Sequence, residues 1–212
     1  MDRSGHFPPK VILRTFWHTA LLFCGILGPL IFLIVYFTFG QVSPDFDMLR
    51  QPIGRLELMK YGWIQSVNFI VFGLFIIAFA FGLRIELKAG FAVNLLPLSQ
   101  IFIALGMILL GLFIHEPDHT YASMISSAAL IISLLLFARR FAVDIRWRGW
   151  ATSTALCAIS ITTLIACFWY AGKLDSPYAG VFEHLVVVVH FTWLIAFDLT
   201  LLWGRRLAPV SR

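Results

Sequence analysis

Six long apolar segments divide the chain, and short polar stretches separate them. The segments cover about residues 15–39, 62–83, 91–114, 120–138, 150–171 and 181–203. A helix needs roughly 20 mostly apolar residues to cross the hydrocarbon core of a bilayer. None of the segments alternates apolar and polar positions as the strands of a membrane barrel do. The pattern therefore predicts an all-α integral membrane protein, built as a six-helix transmembrane bundle.

The composition supports a bilayer rather than water as the main solvent of the chain. Of the 212 residues, 60% are hydrophobic and 13% are charged, and the mean hydropathy is +0.88. A soluble domain carries roughly 25% charged residues, so this chain has too few to cover a soluble surface. The lipid bilayer is the first predicted partner. We expect no nucleic acid, because the basic residues stand in short loops beside apolar spans.

The segments predict a single transmembrane domain over residues 15–204. Residues 1–14 and 205–212 are predicted to be cytoplasmic tails. The first segment is too long for the core of a signal peptide, so we expect it to be retained as a helix. The loop of residues 40–61 is the longest connection, and it could fold over one face of the bundle.

Basic residues are distributed unequally between the two sets of connections. Twelve belong to the terminal regions and to the second and fourth connections: Arg3, Lys10, Arg14, Arg84, Lys88, Arg139, Arg140, Arg146, Arg148, Arg205, Arg206 and Arg212. Four belong to the other set: Arg50, Arg55, Lys60 and Lys173. Because Lys and Arg are concentrated in cytoplasmic loops, the asymmetry predicts that both termini are cytoplasmic and that loop 40–61 is outside. We expect the bacterial cytoplasmic (inner) membrane as the location.

Residues 115–119 read His-Glu-Pro-Asp-His and lie between two apolar segments, on the predicted outer side. One interpretation is a helix start, because proline suits the first helical position and acidic residues suit the first turn. The other is a polar site that also includes the start of the sixth segment. Its candidate ligand or polar residues are His115, Glu116, Asp118, His119, Glu183, His184 and His190.

These candidates leave several kinds of chemistry open. Imidazole and carboxylate groups suit a divalent metal, and the candidate metal ligands are His115, His119, Glu183 and His184. Their spacing matches no established metal motif, so acid–base catalysis and headgroup binding remain alternatives, and catalytic residues stay unassigned. His190 should face the bundle interior, either as a hydrogen-bonded residue or as a ligand or proton relay.

Further polar residues are predicted inside the spans. His18 and Asp198 lie at similar depth near the cytoplasmic side, and we expect them to pair. Gln65 and Asn68 share one helix face and are expected, with Ser66, to bond to neighbouring helices. The three cysteines all lie in apolar segments, so neither a structural disulfide nor a cysteine metal site is expected.

Four stretches together suggest a family: "GWIQSVNFIVFGLFIIAFAFGLR", "LGLFIHEPDH", "FARRF" and "AGVFEHLVVVVHFTWLIAFDLTLL". In order and spacing the chain resembles, over about residues 15–204, the bacterial and archaeal multi-pass family catalogued as domain of unknown function 998. The family's turn Phe-x-x-acidic-Pro corresponds to Phe113, Glu116 and Pro117, and a later family histidine corresponds to His119. The family's Gly-x-Phe-Glu-Arg corresponds to residues 180–184, with His184 in place of the arginine. The resemblance implies a multi-pass topology and no particular activity.

Two classes of function fit the sequence. One is a non-enzymatic membrane component, such as an accessory subunit that packs against other membrane chains and carries an outward-facing polar site. The alternative is a membrane-embedded hydrolase, metal-dependent or not, that acts on a lipid or lipid-linked substrate at the outer leaflet. Whether the protein is an enzyme stays open at this level.

Overall fold

A computed structural model describes the backbone of residues 9–87, 92–145, 147–174 and 176–207, and the side chains of residues 16–87, 92–145, 147–174 and 176–203. Six α-helices account for most of it: α1 (Pro9–Val42), α2 (Trp63–Glu86), α3 (Leu95–Leu112), α4 (Asp118–Val143), α5 (Arg148–Lys173) and α6 (Ala179–Leu207). A short 3₁₀ helix, Ile53–Leu58, lies between α1 and α2. The described part of the chain contains no strand.

Within these described residues, all six helices are long and apolar enough to span a membrane. Their most apolar windows have mean hydropathies between 1.8 for α5 and 2.5 for α1. Many large apolar side chains are exposed on the outside of the bundle, among them Ile34 and Leu135. Lipid tails would cover these faces. The predicted six-helix transmembrane fold is confirmed, and the protein is a multi-pass membrane protein.

The helix limits differ from the predicted segments in a few places. Helix α1 already begins at Pro9, so part of the predicted tail 1–14 is helical, whereas residues 1–8 lie outside the described residues. Helix α3 is shorter than its apolar segment and begins at Leu95. Pro97 lies in its first turn, where a missing N–H group is tolerated. Most of the predicted tail 205–212 also lies outside the described residues.

The helices form a closed ring in which each one packs against its neighbours in sequence, and α6 packs against α1. The connections α1–α2, α3–α4 and α5–α6 share one end, which we call the upper end; the opposite end is the lower end. Small residues allow the close approaches within the ring. A Cβ atom on Gly106 of α3, for example, would lie only 2.8 Å from Ser126 Cα on α4.

Aromatic rings and a few buried polar contacts fill the space between the helices. Phe32 of α1 contacts Phe72 and Phe191, with ring centroids 5.3 and 5.6 Å apart. Asn68 of α2 donates a hydrogen bond to the Phe32 carbonyl at 3.1 Å, and a second to Gln65 at 3.3 Å. This confirms the bond from Asn68 to a neighbouring helix. The three cysteines are free thiols.

The 3₁₀ helix Ile53–Leu58 closes part of the upper end. It packs against α2 and α6, and Ile53 and Leu56 are only 2% and 0% exposed. Glu57 is buried with them, at 6% exposure. Loop 40–61 therefore folds back onto the bundle, because its two aliphatic side chains gain an apolar environment there.

Candidate functional site

A cleft of about 380 Å³ opens at the upper end of the ring. Glu116 reaches it from the turn before α4, His119 from the start of α4, Lys173 from the end of α5, and Glu183 from the start of α6. Pro52 and Gly54 of the folded loop form another wall. We call this space the upper cleft. It places two stretches that are far apart in sequence, residues 115–119 and the start of α6, around one polar opening.

Glu183 connects the upper cleft to the folded loop. Its Oε2 atom accepts a hydrogen bond of 2.6 Å from the backbone N–H of Ile53. The contact holds the first residue of the 3₁₀ helix against α6 and uses one lone pair of the carboxylate. The Glu183 side chain also lines both the upper cleft and a second, deeper space.

His119 lies between the folded loop and the turn formed by residues 113–117. Its Nδ1 atom is 3.0 Å from the Phe113 carbonyl oxygen and 3.4 Å from Glu57 Oε2. A carbonyl only accepts hydrogen bonds, so Nδ1 must carry the proton in this contact. The Nε2 edge of the ring lies against Gly54, where a Cβ atom would collide with it. The position of the imidazole therefore depends on the folded loop.

Glu57 is a buried acid below His119. Its side chain is fully shielded from solvent. The burial raises the pKa of Glu57 to about 7, and the Ser66 hydroxyl on α2 opposes part of that rise. Burial disfavours the charged form of a carboxyl group. Glu57 therefore changes its charge near neutral pH, next to an imidazole that lines the upper cleft.

The other residues of the 115–119 turn have simpler positions. Helix α4 begins at Asp118, as the helix-start signal predicts. Glu116 accepts a hydrogen bond from the Thr120 N–H at 3.3 Å, so it satisfies one unpaired donor of the first turn while it lines the cleft. His115 and Asp118 are exposed and do not line the cleft.

His184 belongs to the packing of α6 against α1 rather than to the cleft. Its Nδ1 atom bonds to the Gly180 carbonyl of its own helix, and its Nε2 atom bonds to the hydroxyl of Tyr36. Both ring nitrogens are therefore used, and the phenol must donate to Nε2.

His190 lines a deeper, mostly apolar space inside the ring, which we call the central cavity. The residue is 5% exposed, and its ring centroid lies 5.7 Å from that of Phe191. Among the residues that the structure describes, its imidazole has no hydrogen-bonding partner. It thus faces the cavity rather than another helix.

The predicted metal ligands do not come together in one group. His115 is exposed at the turn, His119 lies against the folded loop, and His184 contacts Tyr36. Within the described residues, no three His, Cys, Asp or Glu side chains are close enough to hold one metal ion.

His18 and Asp198, which the sequence predicts to pair near the cytoplasmic side, each have other neighbours in the structure. His18 Nε2 lies 3.0 Å from the Gly82 carbonyl oxygen and 3.6 Å from Glu86 Oε2. Asp198 is fully buried and lies against Gly25, where an added Cβ atom would be 2.7 Å from Oδ2. A direct contact between His18 and Asp198 stays a prediction.

Two residues that line the cleft, Gly54 and Lys173, and the acid Glu57 that contacts His119 did not stand out in the sequence. Glu57 and Gly54 belong to a loop without periodicity, and only the folding of that loop brings them to His119. Lys173 was counted as a charge at a span end, and it lines the cleft because α5 ends at the upper rim. One sequence signal was available: Ile53 and Leu56 are apolar residues in an otherwise polar loop, and they indicate that the segment, with the adjacent Glu57, packs against the bundle.

The fold and the cleft define a class: a multi-pass bundle of six helices with a polar cleft at one end that leads toward its centre. The family described as "Protein of unknown function (DUF998)" matches residues 26–200, and the chain belongs to this family. No curated protein and no solved structure matches the chain.

Proposed function

We propose that the protein is a non-enzymatic component of the bacterial cytoplasmic membrane that binds a ligand from the outer side in the upper cleft. The observation that carries this proposal is the convergence of Glu116 from the α3–α4 turn and of His119, Lys173 and Glu183 from three different helices on one opening. Acceptors and donors around a single cleft can orient a polar ligand. Most of these groups also have supporting contacts that hold them in place.

The distribution of basic residues supports the direction of the opening. The connections at the upper end carry only four basic residues, Arg50, Arg55, Lys60 and Lys173. The terminal regions and the other connections carry twelve. By the preference of Lys and Arg for cytoplasmic loops, the upper cleft faces outward and both termini are cytoplasmic.

The test isolates the protein in polymer-excised patches of its native membrane and identifies bound small molecules by mass spectrometry. We expect at least one compound to be enriched with wild type and lost with the double variant His119→Ala, Glu183→Gln. His115→Ala is the matched control, since His115 is exposed beside the cleft without lining it. An identical small-molecule content in wild type and double variant would contradict a ligand site.

One observation favours the second candidate, a hydrolase acting on a lipid or lipid-linked substrate at the outer leaflet. His119 lies at the cleft with the Glu57 carboxylate 3.4 Å from its Nδ1 atom. A carboxylate that orients an imidazole is the usual arrangement of a histidine general base. Turnover of a labelled lipid extract by wild type, abolished in His119→Ala, would replace the binding role with an enzymatic one.

The accessory-subunit form of the proposal adds other membrane chains as partners. The large exposed apolar faces of the helices could contact lipid or protein equally well. Mild solubilisation followed by identification of stoichiometric co-purifying chains separates these two cases.

A further inference from the structure

The charged groups of the upper cleft are not paired with one another. Lys173, Glu116 and Glu183 line the cleft from three separate segments, and none of them forms an ion pair with a described residue. Glu116 accepts a hydrogen bond from the Thr120 N–H. Glu183 accepts one from the Ile53 N–H. Groups of both charge signs therefore remain open on one space.

The balance of these groups disfavours a ligand that carries charge of only one sign. A purely anionic ligand would be attracted by Lys173 and repelled by the two glutamates, and a purely cationic ligand would meet the reverse. A zwitterion can contact the lysine with its anionic part and the two carboxyl groups with its cationic part. The cleft therefore favours a ligand that carries both charges.

Two aromatic side chains near the end of α5, Phe168 and Trp169, line the same cleft. Their ring centroids are 5.6 Å apart, and the ring planes are inclined at 66°. The face of an aromatic ring attracts an ammonium group, and tryptophan does so most strongly. The rings therefore act in the same direction as the carboxyl groups, and they favour an ammonium as the cationic part of the ligand.

The upper cleft has the size and the depth that suit a small polar head. Its volume is about 380 Å³, which is the space of roughly twelve water molecules at about 30 Å³ each. The spans of α4 and α6 begin at Asp118 and Ala179, and the span of α5 ends at Lys173. The cleft between these ends lies at the level of the lipid headgroups. Both a headgroup and a dissolved compound can reach it there.

We propose that the upper cleft binds a zwitterionic head in which a short linker joins an ammonium to a phosphate, as in phosphoethanolamine. The carboxyl groups of Glu116 and Glu183 contact the ammonium. Lys173 pairs with the phosphate, since lysine is a frequent phosphate binder. The source is either a dissolved compound or a lipid of the outer leaflet whose acyl chains stay in the bilayer. This inference rests on the proposed function, because it names the ligand class of that same site.

The experiment uses the full-length protein in nanodiscs of phosphatidylglycerol and measures binding by isothermal titration calorimetry. O-phosphoethanolamine carries both charges, ethanolamine carries only the ammonium, and inorganic phosphate carries only the anion. We expect O-phosphoethanolamine to bind at one site per chain, at least tenfold more tightly than either of the other probes. If ethanolamine or inorganic phosphate binds as tightly, one of the two charges contributes nothing and the inference is overturned.

Variants that remove one charge test which group each part of the ligand contacts. Lys173→Gln should weaken the binding of O-phosphoethanolamine at least tenfold and leave that of ethanolamine unchanged. Glu183→Gln should weaken the binding of both probes. The glutamine oxygen can still accept the Ile53 N–H, so this variant keeps the contact to the folded loop. Wild-type affinity of Lys173→Gln for O-phosphoethanolamine would contradict the pairing of Lys173 with the phosphate.

Two matched controls remove a charge at the upper end without changing the lining of the cleft. Lys60→Gln is the control for Lys173→Gln, and Asp118→Asn is the control for Glu116→Gln. Lys60 and Asp118 are exposed and do not line the cleft, so both controls should keep the wild-type affinity for O-phosphoethanolamine. If the controls weaken binding as much as the cleft variants do, the probe is attracted by the overall surface charge and the inference is overturned.

A second set of nanodiscs, with equal parts of phosphatidylglycerol and phosphatidylethanolamine, separates the two sources. If lipid headgroups occupy the cleft, the apparent Kd of O-phosphoethanolamine rises at least tenfold in these discs; an unchanged Kd assigns the site to a dissolved compound. If O-phosphoethanolamine binds in neither set, the inference fails. The proposed function survives that result if compounds from membrane patches still depend on His119 and Glu183. Without that dependence, both fail.

Discussion

The contact between Glu57 and His119 connects a buried acid in a loop to the polar opening of the bundle. The two side chains are 3.4 Å apart, and they come from residues 62 positions apart in the sequence. Sequence patterns identified His119 because it stands beside a proline-containing turn. They did not identify Glu57, because the burial of a loop carboxyl group depends on where Ile53 and Leu56 pack.

The raised pKa of Glu57 predicts a specific dependence of stability on pH. Between the ordinary value of 4.5 and the folded value of about 7, the folded state holds the proton that the unfolded state has released. Stability from this group is therefore fully present below pH 4.5 and is lost as pH rises through 7. Glu57→Gln should remove this loss, which is on the order of 2 kcal/mol.

The measurement is the free energy of unfolding of detergent-solubilised protein at pH 5 and pH 8, for wild type and Glu57→Gln. His119, which faces Glu57, and Glu183, which holds the 3₁₀ helix, are unchanged in both proteins, so the difference between the two pH dependences isolates Glu57. Glu116→Gln changes an exposed carboxyl group and serves as control. If both variants keep the pH dependence of wild type, Glu57 is not the responsible group.

The predicted pair of His18 and Asp198 is tested by a double-mutant cycle. Removing one member of a buried polar contact leaves the other without its partner and costs about 1–3 kcal/mol. We expect His18→Leu and Asp198→Leu each to lower the free energy of unfolding, and the double variant to lose less than the sum. Strict additivity would mean that His18 depends on Gly82 and Glu86 instead.

Among the elements, the six helices follow directly from length and hydropathy, while the 3₁₀ helix does not. Each helix combines a window of high mean hydropathy with at least 18 residues, so tertiary contacts only adjust its ends. Glu116, Pro117 and Asp118 predict the start of α4 from the sequence. The 3₁₀ helix has six residues, and its position is set by a bond to Glu183 and by aliphatic burial, both of which are tertiary.

Gly54 is the point at which this 3₁₀ helix meets α4, and it provides a test of that docking. An added Cβ atom would collide with the His119 ring, and overpacking of this kind costs about 1–3 kcal/mol. We expect Gly54→Ala to destabilise the protein by that amount, measured by thermal unfolding in detergent.

The second substitution His119→Ala should relieve most of this cost, because it removes the ring that is struck. Gly149→Ala is the control, since an added Cβ there meets nothing within 4 Å. If Gly54→Ala lowers the stability equally in wild type and in the His119→Ala variant, the 3₁₀ helix does not pack on that imidazole.

At the scale of the whole molecule, a ring of sequential helices explains how distant residues reach one site. The connections α3–α4 and α5–α6 lie at the same end because each helix reverses the direction of the previous one. Residues 115–119 and the start of α6 must therefore share the upper end, which the order of spans alone indicates. The central cavity depends instead on how the helices close from α6 back to α1, and no local pattern encodes that closure.

The central claim is that the upper cleft opens to the outside of the cell. The most direct measurement labels single cysteines in intact cells with a membrane-impermeant maleimide, in a background in which Cys24, Cys157 and Cys167 are replaced by alanine. Thr120→Cys reports on the cleft, and Val143→Cys, 62% exposed at the lower end of α4, reports on the opposite side. We predict that Thr120→Cys reacts in intact cells and that Val143→Cys reacts only after permeabilisation. The reverse pattern would contradict an outward-facing site.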